Sequence, residues 1–382
     1  MKCKFGEIAT GFDYGMNAAA KPYDGQNKYI RITDIDEVSS TYNNSSIVSP
    51  DGILSENYVV NEGDILLART GASTGKSYLY RKSDGKLYYA GFLIRANVAE
   101  HNPYFVFSQL HTHRYWRWVS IMSARSGQPG INSLEYASFP IFTTTLKEEN
   151  KISSLLSLID KRIATQNKII EKLQSLIKGL NDSLYKQYGN AITTSFSDLG
   201  HSYSGLSGKS SEDFGSGKPF ITYLNVYSNS VVNENEYQYV RINDGEKQNI
   251  VQCGDVLFTL SSETPEEVGV GSVYLGIDEV FLNSFCFGFH IDNKELAYPP
   301  YFSYYVSSTP FRKFIYPFAQ GSTRFNLCKA DFEKASIKLP SLNNQKHIYA
   351  ILNSIKGKIE TEKNLLEYYT TQKQYLLRQM FI

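Results

Sequence analysis

The strings in this chain whose spacing could carry catalysis fall short of the chemistry they resemble. Gly71-Ala72-Ser73-Thr74-Gly75-Lys76-Ser77 has the residue types of a loop that cradles phosphates with backbone amides and a lysine. Such a loop needs four residues between its glycines, and this one has three. Its counterpart in the second half of the chain, Ser262 to Glu267, is acidic and has no lysine, so a turn rich in small residues is the better reading. Glu149-Asn150-Lys151 has a nuclease-like Glu-x-Lys spacing but no upstream Pro-Asp, and it opens a helical pattern. His111 and His113 could ligate a metal, yet nothing else in the sequence converges on them. The four cysteines, Cys3, Cys253, Cys286 and Cys328, are far apart and form no Cys-x-x-Cys. Zinc sites and a disulfide framework are therefore not expected, and free thiols are.

Methyl transfer is equally poorly supported. Tyr298-Pro299-Pro300-Tyr301 has the shape of an Asn/Asp-Pro-Pro-Tyr signature, but a phenol cannot replace the amide or carboxylate that would hold the accepting amino group. Gly269-Val270-Gly271-Ser272 lacks the third glycine and the acidic strand end of a methyl-donor site. No acid/base pair or nucleophile stands out, and the chain is expected to be non-catalytic and to bind no cofactor or metal itself.

What the sequence does specify is a scaffold. From Leu146 to about Tyr188, steps of four and three give Ile152, Leu156, Ile159, Ile163, Gln166, Ile170, Leu173, Ile177, Leu180 and Leu184, so nine of ten seam positions are apolar. This is a coiled-coil pattern over five heptads. A shift of 196 residues gives Ile348, Leu352, Ile355, Ile359, Glu362, Leu366, Tyr369, Lys373, Leu376 and Met380, with Glu362 in the place of Gln166. Thr145 with Glu148 has the form of a capping box, and Ser341 stands at the shifted position. Each helix should run to roughly 55 to 60 Å at about 1.5 Å per residue.

The repeat continues outside the helices. Phe5 to Ile8 aligns with Phe196 to Leu199, Tyr29 to Ile35 with Phe220 to Val226, and Gly63 to Leu67 with Gly254 to Phe258, all at a shift of 191. Gly127 to Asn132 aligns with Gly321 to Asn326 at 194. Each half reads as a domain of short strands, polar loops and one local helix, around Tyr104 to Leu110 or Tyr301 to Val306, leaving through a strand into its long helix. The expected organisation is a first domain at 1–145, a helix at 146–189, a second domain at 190–340 and a helix at 341–382. The expected fold is mixed α/β (α+β): two similar domains joined by two long antiparallel coiled-coil helices, with a pseudo-two-fold internal repeat. A chain ordered domain, helix, domain, helix can set its helices side by side between its domains only if they run antiparallel.

With 382 residues, 42% apolar and 20% charged, the chain has a globular composition. It opens on MKCKFGEIATGF, without an apolar signal core, and has no run of 18 apolar residues, so a cytoplasmic location without membrane contact is expected. Basic and acidic residues number 15 and 15 in 1–150, 7 and 3 in 151–189, 11 and 17 in 190–340, and 6 and 3 in 341–382. The helices are basic and the domains are not.

Taken together, the GDILLARTG and TGK strings, GDVLFTLSSETPEEVG, the GQPGIN and GSTRFN segments and the SIKLPSLNNQKHIYAILNSI entry to the second helix are similar to a specificity subunit of a type I restriction-modification system over essentially the whole chain. The resemblance implies two target-recognition domains, each reading one half of a split double-stranded DNA target, and helices that dock two methyltransferase subunits and, through them, restriction subunits. S-adenosylmethionine would sit on the methyltransferase. Candidate DNA contacts are Lys76, Arg114, Arg117, Arg125, Gln128 and Asn132 in the first half and Arg312, Lys313, Gln320, Arg324, Asn326 and Lys329 in the second. Arginine suits guanine edges, and asparagine or glutamine suits adenine. A two-headed scaffold binding protein or glycan is the alternative, and it accommodates the acidic second half.

Overall fold

The computed structural model describes residues 1–124 and 127–381. By its contacts the chain forms two units, Met1–Asn167 together with Asn364–Ile382, and Lys168–Lys363.

Each unit is built on a four-stranded antiparallel sheet of the same order. In the first unit it runs Thr10–Tyr14, Leu93–Asn97, Asp64–Ala68, Ser77–Leu79. In the second it runs Gly200–Ser204, Cys286–Ile291, Val256–Thr259, Gly271–Val273. The central strand DILLA is buried along its whole length, because alternate side chains leave opposite faces of a sheet and both faces are covered. Ile65 and Leu67 join Ile94, Val106, Tyr115 and Val119 on the helical side. Leu66 and Ala68 join Ile30, Tyr78, Leu87 and Leu93 on the other. Phe258 and Leu257 divide the second unit in the same way. Small antiparallel pairs, Lys2–Lys4 with Pro140–Phe142 and Ile192–Ser195 with Ser336–Leu339, close each domain where it passes into its long helix.

The expectation of a single local helix per domain is corrected. The first unit has Pro103–Gln109 and also His113–Met122, and the second has Thr309–Ile315 after Phe302–Tyr305. One-turn helices occupy Phe5–Ile8 and Phe196–Leu199. The 194-residue shift is corrected too. Ile131 N–H donates to Arg69 O and Leu327 N–H to Leu260 O, both at 2.9 Å, while Asn132 and Cys328 each stand at the N-cap of the next helix. Asn132 therefore corresponds to Cys328, at a shift of 196. Matching glycines had aligned turns of different length.

The long helices are Leu146–Tyr188 and Leu342–Met380. None of the twenty seam positions is exposed, and Gln166 and Glu362 are both buried. In the first unit Ile152 and Leu156 pack with Leu376, Leu377, Met380 and Phe381, and Lys373 Nζ lies 2.6 Å from Asp160. In the second, Ile177, Leu180 and Leu184 pack against Ile348 and Leu352. An early stretch of one helix meets a late stretch of the other in both units, so the helices are antiparallel. Lys358 pairs with the buried Glu362 one turn on.

Each helix is also tied to a domain through its first turn. Buried Glu149 accepts from Asn102 N–H at 2.9 Å and Thr144 N–H at 3.2 Å and lies 2.8 Å from His101 Nδ1. At the equivalent position, Gln345 Oε1 accepts from Tyr298 N–H at 2.8 Å, and its amide donates to Leu296 O and Pro340 O. Among the described residues no helix is long and apolar enough to cross a membrane.

Candidate nucleic-acid interface

The central strand of each sheet ends at a place where several loops are sewn together. Arg69 N–H donates to Phe92 O at 3.1 Å, Arg69 O accepts from Ile131, Thr70 bridges Gly130, and Gly71 N–H donates to Pro129 O at 3.0 Å. Gln128 approaches so closely that a Cβ on Gly71, whose φ is +72°, would lie 3.0 Å from its Nε2. The positive φ favours glycine there. In the second unit Leu260 N–H donates to Phe285 O at 2.9 Å, Ser261 and Ser262 pair with Asn326 and Phe325, and Ala319–Gln320 pairs back on Phe325–Leu327. Phe92 and Phe285 thus occupy the same position, and each is 57% exposed. A large ring is left in water at the same point of both copies, beside polar loops.

This point gathers four of the expected DNA contacts. Gln128 is exposed beside Gly71, and Gln320, Arg324 and Asn326 are exposed on the hairpin of the second unit. Arg117 and Lys313 are exposed on the helices His113–Met122 and Thr309–Ile315. Others are committed to the fold. Arg114 lies 4.3 Å over the Phe142 ring and 5.4 Å over Phe139, and burial lowers its pKa. The Arg312 guanidinium donates to the carbonyls of Gly269, Glu266 and Val268 at 2.6 to 2.7 Å, where it fastens a loop. Asn132 Oδ1 caps a helix by accepting from Glu135 N–H at 2.9 Å. Lys76 Nζ is 3.7 Å from Glu37, and Lys329 sits over Phe287 and 3.9 Å from Glu333. Arg125 lies outside the described residues.

The first unit adds residues that the sequence did not single out. Tyr14, Arg31, Arg69 and Phe92 line a cleft of about 520 Å³. Arg69 is 4.7 Å over the Tyr14 ring, whose hydroxyl accepts from Ser133 N–H at 3.3 Å. That hydrogen bond, aided by the Arg69 charge, holds the phenol below its usual pKa. Arg31 is gripped by Asp34 through Nε at 2.9 Å and Nη2 at 2.7 Å, which raises its pKa. Positions 14, 31, 69 and 92 lie far apart in sequence, and the one available signal was the arginine closing GDILLAR. In the second unit Leu260 stands in the place of Arg69, and Ser204, paired with Phe287 as Tyr14 is with Ile94, in the place of Tyr14.

The strings that resembled enzyme motifs have other duties. In the glycine-rich loop, the amides of Gly71, Thr74, Gly75 and Lys76 are given to Pro129, Gly71, Ala68 and Ser73 carbonyls, so none of the four is left for a phosphate. His111 holds Phe107 O at 2.9 Å and Ser40 Oγ at 3.0 Å with its two ring nitrogens, and burial pushes its pKa down to about 4. Among the described residues no group of three or more metal-ligating side chains forms.

Residues 195–368 match the family described as the type I restriction modification DNA specificity domain. Two solved structures have a similar fold over the full chain. The type I restriction-modification S subunit from M. genitalium is 16% identical, with 100% of this chain and 96% of that one covered and a TM-score of 0.59. A chain from a structure on complex assembly and conformational transition of the type I R-M system is 15% identical, with 99% and 96% covered and a TM-score of 0.61. The second half of the chain is thus similar to a type I restriction modification DNA specificity domain, and the first half repeats the sheet order of that matched domain.

Proposed function

We propose that the chain is the DNA-recognition subunit of a type I complex, non-catalytic by itself, in which each domain reads one half of a bipartite, asymmetric target. The observation that carries this is the duplicated strand end, with Phe92 or Phe285 exposed beside a loop whose polar residues differ: Gln128 in one unit, and Gln320, Arg324 and Asn326 in the other. A shared framework with unlike side chains reads unlike base edges. The 11 basic against 17 acidic residues of 190–340 leave little charge for phosphates, so the methyltransferase subunits, carrying S-adenosylmethionine, supply most of the backbone grip. Exchanging residues 1–145 for another recognition domain is expected to change one half-site and leave the other intact, as read by sequencing methylated sites in cells that carry the partner subunits. A target that changes in both halves, or is continuous, refutes the reading. Failure of the chain and its partner to retard any bipartite duplex favours the scaffold alternative.

The long helices provide the docking surface. Leu155, Leu158, Ile169 and Leu176 lie off the seam and are exposed, as are Leu365, Tyr368 and Tyr375, and Lys161, Lys168 and Lys172 flank them. Such side chains gain by being covered. Leu155→Asp with Leu176→Asp is expected to abolish co-purification of the methyltransferase without changing the melting temperature. Retained co-purification moves the contact elsewhere.

A further inference from the structure

Resting on the DNA-reading function just described, the geometry points to Arg69 as the side chain that reads a guanine in the first half-site, with Tyr14 as its positioning residue. The cleft at the end of the central strand holds two arginines in different states. Arg31 is matched by the carboxylate of Asp34. Arg69 is partly buried against the Tyr14 ring, and among the described residues no acceptor takes any of its guanidinium N–H groups. Of the other partly buried arginines of the unit, Arg95 donates to Asn57 O and Val59 O and lies 3.5 Å from Asp13, and Arg114, packed over phenylalanine rings with its Nε buried and without an acceptor, does not line the cleft.

With no protein acceptor on the guanidinium, its donors face the open cleft, where a ligand can take them. Stacking on a ring fixes the guanidinium plane while leaving its edge available, which is what fork recognition requires. The Ser133 hydrogen bond in turn fixes the ring. Guanine presents two acceptors, O6 and N7, at the spacing of that fork, and exposed Phe92 beside it offers an apolar face to a neighbouring base. The second unit, with Leu260 and Ser204 at these positions, has no such device, so its half-site is read by the hairpin residues instead.

The test uses the assembled complex of this chain with its methyltransferase partner. Methylated sites are mapped for the natural chain, Arg69→Leu, Arg69→Lys and Tyr14→Leu, and duplex affinities are measured across a salt series. The natural chain is expected to require a G·C pair at one position of the first half-site. Arg69→Leu and Arg69→Lys should each lower discrimination there by roughly ten- to a hundred-fold, with the second half-site and the gap unchanged. Tyr14→Leu should weaken it less, at the same position. Should Arg69→Leu fail to fold, Arg69→Lys, which keeps charge and stem but loses the fork, decides. Two outcomes overturn the proposal. Either the preference survives both Arg69 variants, or affinity falls evenly over all sequences with the salt slope reduced by about one, the mark of a phosphate contact. Both leave bipartite reading standing, whereas absence of any bipartite methylation by the natural complex removes that reading itself.

Discussion

Leu156→Asp is expected to unfold the first unit, and Leu352→Asp the second. Both leucines are fully buried, Leu156 among residues of the first recognition domain and the end of the second long helix, Leu352 in the cluster that includes the aromatic core of the second domain. Removing a fully buried leucine forfeits roughly 2 to 3 kcal/mol of transfer free energy, and a carboxylate left without a partner in that surrounding costs several more. The total is a large part of the roughly 5 to 15 kcal/mol that holds a domain. Neither site can relax by turning outward, since the seam is fixed by residues one turn away on both sides. Leu158→Asp, at a position 58% exposed on the same helix, is the control and should leave the melt unchanged. Melting followed by circular dichroism checks all three. If both seam variants melt within about 2 °C of the natural chain, the pairing of the helices is wrong.

The long helices were legible because one signal, apolar residues at steps of four and three, was sustained over five heptads and then repeated. The buried strand DILLA was legible for a related reason, since a sheet covered on both faces leaves a continuous apolar run. The helix His113–Met122 was passed over although Tyr115, Trp118, Val119 and Met122 recur at helical spacing and pack into the core, because its signal is short beside the sustained heptads. Contact sites were harder still. A sequence displays the charge of Arg114 and Arg312 but not the rings and carbonyls that occupy them, so both looked like DNA contacts and neither presents an open fork. Conversely, Arg69, Tyr14 and Phe92 are brought together only by strand pairing, and no local pattern announces a side chain whose donors have no partner. The boundary between units was obscured likewise. Each long helix contributes to both units, with the division falling between Asn167 and Lys168 and between Lys363 and Asn364, inside heptads that carry no composition change.

Lengthening both helices is expected to lengthen the gap in the DNA target and nothing else. Each helix is a single uninterrupted element, Leu146–Tyr188 or Leu342–Met380, and both are needed because the seam pairs them. Four residues added after Asn167 and four after Lys363 extend each by roughly 6 Å, against roughly 3.4 Å for one base-pair step. The preferred gap should therefore grow by one or two base pairs. Four residues exceed one helical turn only slightly and act as a stutter that a paired helix absorbs by local unwinding, so the seam reforms on either side of the insertion. Adding residues to one helix alone should instead mismatch the pair and destabilise the subunit. The bases of each half-site depend on the strand ends near Arg69 and Leu260, far in sequence from the insertions, and should not change. Sequencing methylated sites in cells that carry the lengthened subunit decides the matter. A gap indifferent to helix length would show that the spacing is set by the partner subunits and not by this chain.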